Sequence, residues 1–275
     1  MYTHLQMRDS TRPPVTLSTL AQMKAQGEKI ACLTCYDASF AALVDAADTD
    51  VVLVGDSLGM VIQGHDTTVP VTMDDMVYHC RAVARGLHRP FLIADLPFMS
   101  YPSKEQALLN AVRLMQEGGA KMIKLESGAS QLEIVEALAS HDIAVCAHVG
   151  LKPQSVHKTG GFRVQGRQQD AAEQMTRDAK SLESAGADIV LLECIPSSLG
   201  AAITKALQVP VFGIGAGRET DGQILVLYDV LDITSGRKPR FVRNFMTDAG
   251  DNARALANYV QAVKKGEYPA PEHCF

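Results

Sequence analysis

Eight short apolar runs, most of them bounded by Gly, Pro or Asp, constrain this chain more than any other feature. They begin near Ile30 (IACLTCY), Val51 (VVLVGD), Phe91 (FLIAD), Met122 (MIKLE), Ala144 (AVCAHV), Ile189 (IVLLE), Val211 (VFGIG) and Ile224 (ILVLYD). Runs without polar–apolar alternation fit parallel strands covered on both faces. Helical patterns lie between most of them. Thr72 can cap a helix carrying Met73, Met76, Val77, Cys80, Val83 and Ala84 on one face, with Gly86 as its stop. Ser103 and Gln106 have the spacing of a capping box. They open a helix with Ala107, Leu108, Ala111, Val112 and Met115 inward, ending near Gly118. Gln168–Ala185 reads as a long helix closed by Gly186, and Asp251–Lys265 as a C-terminal helix.

Strand and helix repeated eight times predict an α/β fold, a single (β/α)8 TIM barrel occupying residues 1–275. Residues 1–14 are expected to be a loosely ordered N-terminal extension. Thr16–Gln26 reads as an extra helix whose Leu17, Leu20 and Met23 plug the barrel bottom. One unit is short. Only 13 positions separate Val211 from Ile224, which leaves room for a degenerate helical turn around Thr220–Gln223. The segment Gly119–Glu126 aligns without a gap on Gly186–Glu193 at an offset of 67 residues, close to two βα units. Each is a Gly helix stop, a strand, and a Glu at the strand's C-terminal end, which in a barrel is the catalytic face.

With 47% hydrophobic and 21% charged residues, an intrinsically disordered chain is excluded. No apolar stretch reaches the roughly 18–20 residues that cross a bilayer, so no membrane association is expected. A net charge of −5 argues against a nucleic-acid partner. The start, MYTHLQMRDSTRPP, lacks the apolar core of a secretory signal, so the expected compartment is the cytoplasm. In that reducing setting the six cysteines, including the pair Cys32 and Cys35, read as buried thiols.

Acidic residues end five of the runs: Asp56, Asp95, Glu126, Glu193 and Asp229. Any one of them can simply cap the next helix, but a closed barrel points several at one small volume. A hard dication such as Mg²⁺ relieves their repulsion and prefers oxygen ligands. Lys124 and Glu126 are two apart on one strand and share a face. They form either an internal ion pair or a metal ligand beside a lysine aimed at a substrate oxygen. Glu193 has Leu191 where Lys124 would stand, and apolar burial should raise its pKa toward that of a useful general base. His148 can donate to a substrate carboxylate or serve as a satisfied core histidine. Gly150–Arg167 carries Lys152, Lys158, Arg163 and Arg167 with no acid. It reads as a solvated loop or as a lid for an anionic ligand. Gly213, Gly215 and Gly217 suit a phosphate site or a tight turn.

The segments Val54–Gly86 (VGDSLGMVIQGHDTTVPVTMDDMVYHCRAVARG), Ile93–Tyr101 (IADLPFMSY), Lys124–Ser127 (KLES), His148–Arg167 (HVGLKPQSVHKTGGFRVQGR), Leu191–Pro196 (LLECIP) and Gly213–Leu231 (GIGAGRETDGQILVLYDVL) resemble the ketopantoate hydroxymethyltransferase family. The resemblance runs from about Thr16 to Phe245. It implies a (β/α)8 barrel of the phosphoenolpyruvate/pyruvate type and a homo-oligomer, a decamer in bacterial members. It implies one Mg²⁺ per subunit held by Asp56, Asp95 and Glu126. It further implies a 2-oxoacid site of Asp56, Ser57, Asp95 and Lys124, joined more weakly by His148, and Glu193 as general base. The implied reaction uses 5,10-methylenetetrahydrofolate as co-substrate and converts 3-methyl-2-oxobutanoate to ketopantoate in pantothenate synthesis. The basic loop is a candidate for the folate's glutamate tail. The chain departs from the family in having Ser127 and Met99 where Gly is usual. Other readings are a Mg²⁺-dependent 2-oxoacid aldolase or phosphoenolpyruvate-type lyase on the same barrel, or a non-catalytic ligand-sensing barrel.

Overall fold

The computed structural model describes residues 12–234, 236 and 238–275; residues 1–11 of the expected N-terminal extension lie outside them. The chain runs α1 (Leu17–Gln26), β1 (Ile30–Thr34), α2 (Ala38–Ala46), β2 (Val51–Val54), α3 (Leu58–Val61), α4 (Met73–Gly86), β3 (Phe91–Asp95), α5 (Lys104–Val112), β4 (Met122–Glu126), α6 (Leu132–Ala139), β5 (Val145–Gly150), α7 (Val156–Thr159), α8 (Gln169–Ser184), β6 (Ile189–Glu193), α9 (Ser197–Ala206), β7 (Val211–Ile214), β8 (Gly222–Leu225), α10 (Leu227–Val230) and α11 (Asn252–Lys264). The eight strands are parallel and close into a barrel in sequence order, with β8 pairing back onto β1.

Strand side chains alternate between two buried environments, which is why the runs show no polar–apolar alternation. Ile30, Cys32, Val51, Leu53, Phe91, Ile93, Met122, Cys146, Ile189, Leu191, Phe212 and Ile224 fill the barrel interior. Ala31, Leu33, Val52, Val54, Leu92, Ala94, Ile123, Leu125, Val145, Ala147, Val190 and Leu192 form the layer beneath the helices. Leu20 and Met23 of α1 join the interior set, as expected for a plug. The two-residue period carries Asp95, Lys124, Glu126, His148 and Glu193 onto the interior phase, beyond the apolar residues of the same strands. All six cysteines are free thiols, and five of them are buried.

Several expectations need correction. The apolar run at Ile224 is not one strand: β8 begins at Gly222 and ends at Leu225, and Leu227–Val230 is helical. The Leu227 N–H donates to Thr34 Oγ1 at 2.9 Å, so a residue of β1 draws the chain into a helical turn. Asp229 therefore sits on α10, with Thr234 and Lys238 as its partners, and not at a strand end. No helical turn covers Thr220–Gln223. Gly222 is already strand, and a Cβ there would meet Phe212 at 2.7 Å and Ile30 O at 3.0 Å. Gly86 is the last residue of α4 rather than a left-handed stop. A Cβ there would lie 2.4 Å from Ala38 O, so its bareness lets α4 pack closely on α2. Ser103 caps α5 by accepting from Gln106 N–H, without the reciprocal bond of a full box. Val112 is exposed rather than inward, while Asn110 is buried with its amide donating to Ser100 O at 2.6 Å.

Candidate active site

Strands β3, β4 and β6 end on Asp95, Glu126 and Glu193. The ladder sets Asp95 opposite Lys124, Glu126 opposite His148, and Gly150 opposite Glu193. Asp56 lies two residues past the end of β2, in the turn that opens α3. Its N–H donates to Asp95 Oδ2 at 3.1 Å, and Lys124 Nζ donates to Asp95 Oδ1 at 2.5 Å. Ser57 Oγ shares a 2.9 Å hydrogen bond with Tyr36 OH. A Cβ at Gly55 would come within 2.8 Å of Ser57 Oγ and 3.4 Å of Asp95 Oδ2, so glycine allows this turn to approach β3. The fold thus gathers Asp56, Ser57, Asp95, Lys124, Glu126, His148 and Glu193 at one end of the barrel and leaves Asp229 apart.

Electrostatics separates the roles of these groups. Burial, reinforced by the Asp95 charge, raises Asp56 to about 7. Burial raises Glu126 to about 8, with the Asp56 charge adding to it. Glu193 is also raised to about 8, again chiefly by burial, against the opposing pull of Lys124. Burial works against the Lys124 ammonium, but Asp95 and Asp56 outweigh it and hold the lysine charged. His148 is pushed well below the ordinary histidine range by burial and then by Lys124 and Lys152, so it is neutral. Its Nε2 lies 3.4 Å from Glu193 Oε2, a contact between a neutral ring and a carboxyl group and not an ion pair. Neither ring nitrogen makes a well-formed hydrogen bond.

Sequence reasoning missed Gln154, Tyr101 and Tyr36. Pro153 starts a short 3₁₀ turn (Pro153–Ser155) just after β5, and the turn swings the buried Gln154 back over the barrel end. Its side-chain amide donates to Asp56 Oδ2 at 2.8 Å and Leu96 O at 2.9 Å, and its backbone N–H donates to Glu126 Oε1 at 2.8 Å. A proline inside a basic glycine-rich loop was the one available hint. The rest of that loop splits: Lys152 lines a cavity of about 210 Å³ with Glu126, Gln154, Tyr101, Phe98 and Met99, while Lys158, Arg163 and Arg167 are exposed. The glycine triplet serves packing. Cβ atoms at Gly213, Gly215 and Gly217 would meet Thr220 at 2.7 Å, Phe241 at 2.8 Å and Ser197 at 2.7 Å.

The oxygen donors suited to a hard cation are Asp56, Asp95 and Glu126. Three buried carboxylates share one lysine, and two of them are raised toward neutrality, the electrostatic state that a dication relieves. Among the described residues, however, no three His, Cys, Asp or Glu side chains stand close enough together to hold an ion as they are. The donor chemistry fits; the carboxylates are oriented by Gln154 and Lys124 instead of by one shared point.

Comparison with known proteins identifies the family and the barrel type. The sequence profile of the family described as ketopantoate hydroxymethyltransferase matches residues 14–271. The 3-methyl-2-oxobutanoate hydroxymethyltransferase of Alkalilimnicola ehrlichii is 57% identical over 265 residues, 96% of each chain. That of Nitrosococcus oceani is 57% identical over 258 residues, 94% of this chain and 98% of its own. Among solved structures, an oxaloacetate acetylhydrolase superposes with a TM-score of 0.60 at 15% identity, covering 94% of this chain and 100% of that one. A 2,3-dimethylmalate lyase of the PEP mutase/isocitrate lyase superfamily gives 0.57 at 16% identity, covering 78% and 79%. These two show the barrel type alone. The profile match and the two close relatives go further: the chain belongs to the ketopantoate hydroxymethyltransferase family.

Proposed function

We propose that this protein transfers a hydroxymethyl group from 5,10-methylenetetrahydrofolate to 3-methyl-2-oxobutanoate, giving 2-dehydropantoate (ketopantoate) and tetrahydrofolate in pantothenate synthesis. The observation that supports it best is Glu193, a carboxyl group raised to about 8 by burial, beside a charged Lys124 and three cation-seeking carboxylates. A general base works most efficiently when its pKa is near the operating pH. Glu193 takes the C3 proton of the oxoacid. Lys124 directs its ammonium at the oxygen where enolate charge develops, in a site that water does not screen. Ser57 and the neutral His148 hold the substrate carboxylate through one O–H and one ring N–H. Asp56, Asp95 and Glu126 would hold Mg²⁺, which supplies Lewis acidity. The C3 carbanion attacks the methylene carbon of the folate, and water supplies the hydroxyl oxygen as the carbon–nitrogen bonds break. The protein in this reading is a cytoplasmic homo-oligomer, a decamer by family resemblance. Among the described residues, no helix is long and apolar enough to cross a membrane.

The test separates the base from the folate step. Protein with Mg²⁺ and no folate is expected to exchange the C3 proton of 3-methyl-2-oxobutanoate for deuterium, followed by NMR. Ketopantoate is expected only when folate is added. Glu193→Gln should lower exchange by at least about 100-fold. Wild-type exchange in that variant removes Glu193 as base, and a carbon–carbon bond formed without folate identifies an aldolase instead.

A further inference from the structure

Gln154 meets two of the cation-seeking carboxylates at once. Its amide has two N–H donors and one acceptor oxygen. Both side-chain donors are committed, one to Asp56 Oδ2 at 2.8 Å and one to the Leu96 carbonyl at 2.9 Å. The Leu96 carbonyl accepts only, so the amide atom facing it is the nitrogen and the opposite face is the oxygen. Tyr101 completes the amide: its OH donates to Gln154 Oε1 at 2.6 Å. The tyrosine is held far above its ordinary pKa by burial and then by the charges of Glu126, Asp56 and Asp95, so it stays a neutral donor. The Gln154 backbone N–H adds a bond to Glu126 Oε1 at 2.8 Å. A carboxylate has two oxygens, and Gln154 takes one from each of two carboxylates.

We propose that Gln154, its amide oriented by the Leu96 carbonyl and braced by Tyr101, is the positioning residue that presents Asp56 and Glu126 to a divalent cation. The proposal rests on the metal reading given above. It assigns the β5–α7 loop a role beyond carrying positive charge: its first turn is part of the cation site. Partners that orient metal ligands through hydrogen bonds typically alter affinity by about 10- to 100-fold when removed. An isosteric carboxylate at position 154 would replace two donors with acceptors against Asp56 and Leu96 O, so it should cost more than simple removal of the amide. Loss of the Tyr101 hydroxyl leaves the amide oxygen without its donor while the two N–H bonds remain, and should cost less.

The test is Mn²⁺ binding to the full chain, read from the free-ion EPR signal at fixed pH, with far-UV circular dichroism to verify folding. Relative to wild type, Tyr101→Phe is expected to weaken binding by up to about tenfold, the size of one neutral hydrogen bond. Gln154→Met should weaken it by about 10- to 100-fold, and Gln154→Glu by more than that. Because Tyr101 acts through Gln154, Tyr101→Phe should add nothing once Gln154→Met is present. A merely structural role would give additive losses, and that result overturns the proposal. Wild-type affinity in both Gln154 variants, alongside weakened binding in Asp56→Asn, overturns it too. Wild-type affinity in Asp56→Asn, or no Mn²⁺ binding by the wild type, overturns the metal reading first.

Discussion

Lys124 and Asp95 face each other across the β3–β4 ladder, and the lysine ammonium meets Asp95 Oδ1 at 2.5 Å with the two side chains 8% and 4% exposed. The pair joins the two halves of the proposed chemistry. Asp95 also accepts from the Asp56 N–H, so the same carboxylate fixes the lysine on one side and the β2–α3 turn on the other. Of Asp56, Asp95 and Glu126, the proposed metal ligands, Asp95 is the one that the lysine ammonium hydrogen-bonds, while Asp56 and Glu126 feel its charge from further away.

Replacing Lys124 by Met keeps much of the side-chain volume and strands a buried cluster of carboxylates without a cation. Removing one partner of a buried pair costs about 3–5 kcal/mol, mostly from the charge left behind. Lys124→Met is expected to lower the urea-unfolding free energy by about 3 kcal/mol at neutral pH, and by less in acid, where the carboxyl groups take up protons. Turnover should be lost with it. Lys124→Arg should rescue stability better than turnover, because a planar fork does not place charge where a compact ammonium does. Full turnover in Lys124→Arg would show that the lysine only neutralises charge.

The raised carboxyl groups set a pH dependence whose sign is definite. Asp56 at about 7, and Glu126 and Glu193 at about 8, all lie above their ordinary values because burial favours the neutral form. The folded state therefore binds more protons than the unfolded state, and stability falls as pH rises. The contribution is complete below about pH 4 and lost as pH climbs through about 7 to 8. Tm of the metal-free protein is expected to fall across that window, by about 2–4 °C per kcal/mol for a chain of this size. Mg²⁺ should raise Tm more at the alkaline end, where the carboxylates are ionised, than at the acid end. A metal-free Tm that rises across the window contradicts the burial account.

The barrel was legible because its signal is local: both faces of each strand are buried, so each run is apolar without alternation and stands out in the sequence. What was missed depends on contacts between distant parts of the chain. Thr34 Oγ1 accepts from the Leu227 N–H and turns an apparently continuous run into strand followed by helix, which removes Asp229 from the strand ends. Gly86 looked like a helix stop because glycine often is one, yet its bareness serves the approach of Ala38 from another helix. The candidate site was legible where residues ionise and recur in register, as Glu126 and Glu193 do. Gln154 does not ionise and lies in a loop whose basic residues dominated the reading; only the returning 3₁₀ turn shows what it touches.

Met99, where resemblance to the family leads one to expect glycine, sits in the left-handed region at φ 58° and is 64% exposed. Left-handed backbone costs a residue with a Cβ about 1–2 kcal/mol. Glycine avoids that cost but loses more chain entropy on folding, about 0.5–1 kcal/mol. The exposed thioether gives up little burial when removed, so backbone relief decides the balance. Met99→Gly is expected to leave stability unchanged or raise it by up to about 1 kcal/mol in urea unfolding. Met99→Val should lose at least about 1 kcal/mol, because a β-branched side chain is a genuine outlier in that region. Ser127, the other departure, has no such strain: it is buried outside the left-handed region, and its hydroxyl donates to Leu125 O at 2.8 Å. Ser127→Gly should therefore destabilise, the opposite sign to Met99→Gly, and equal signs for the two would rule out backbone strain as the reason they differ.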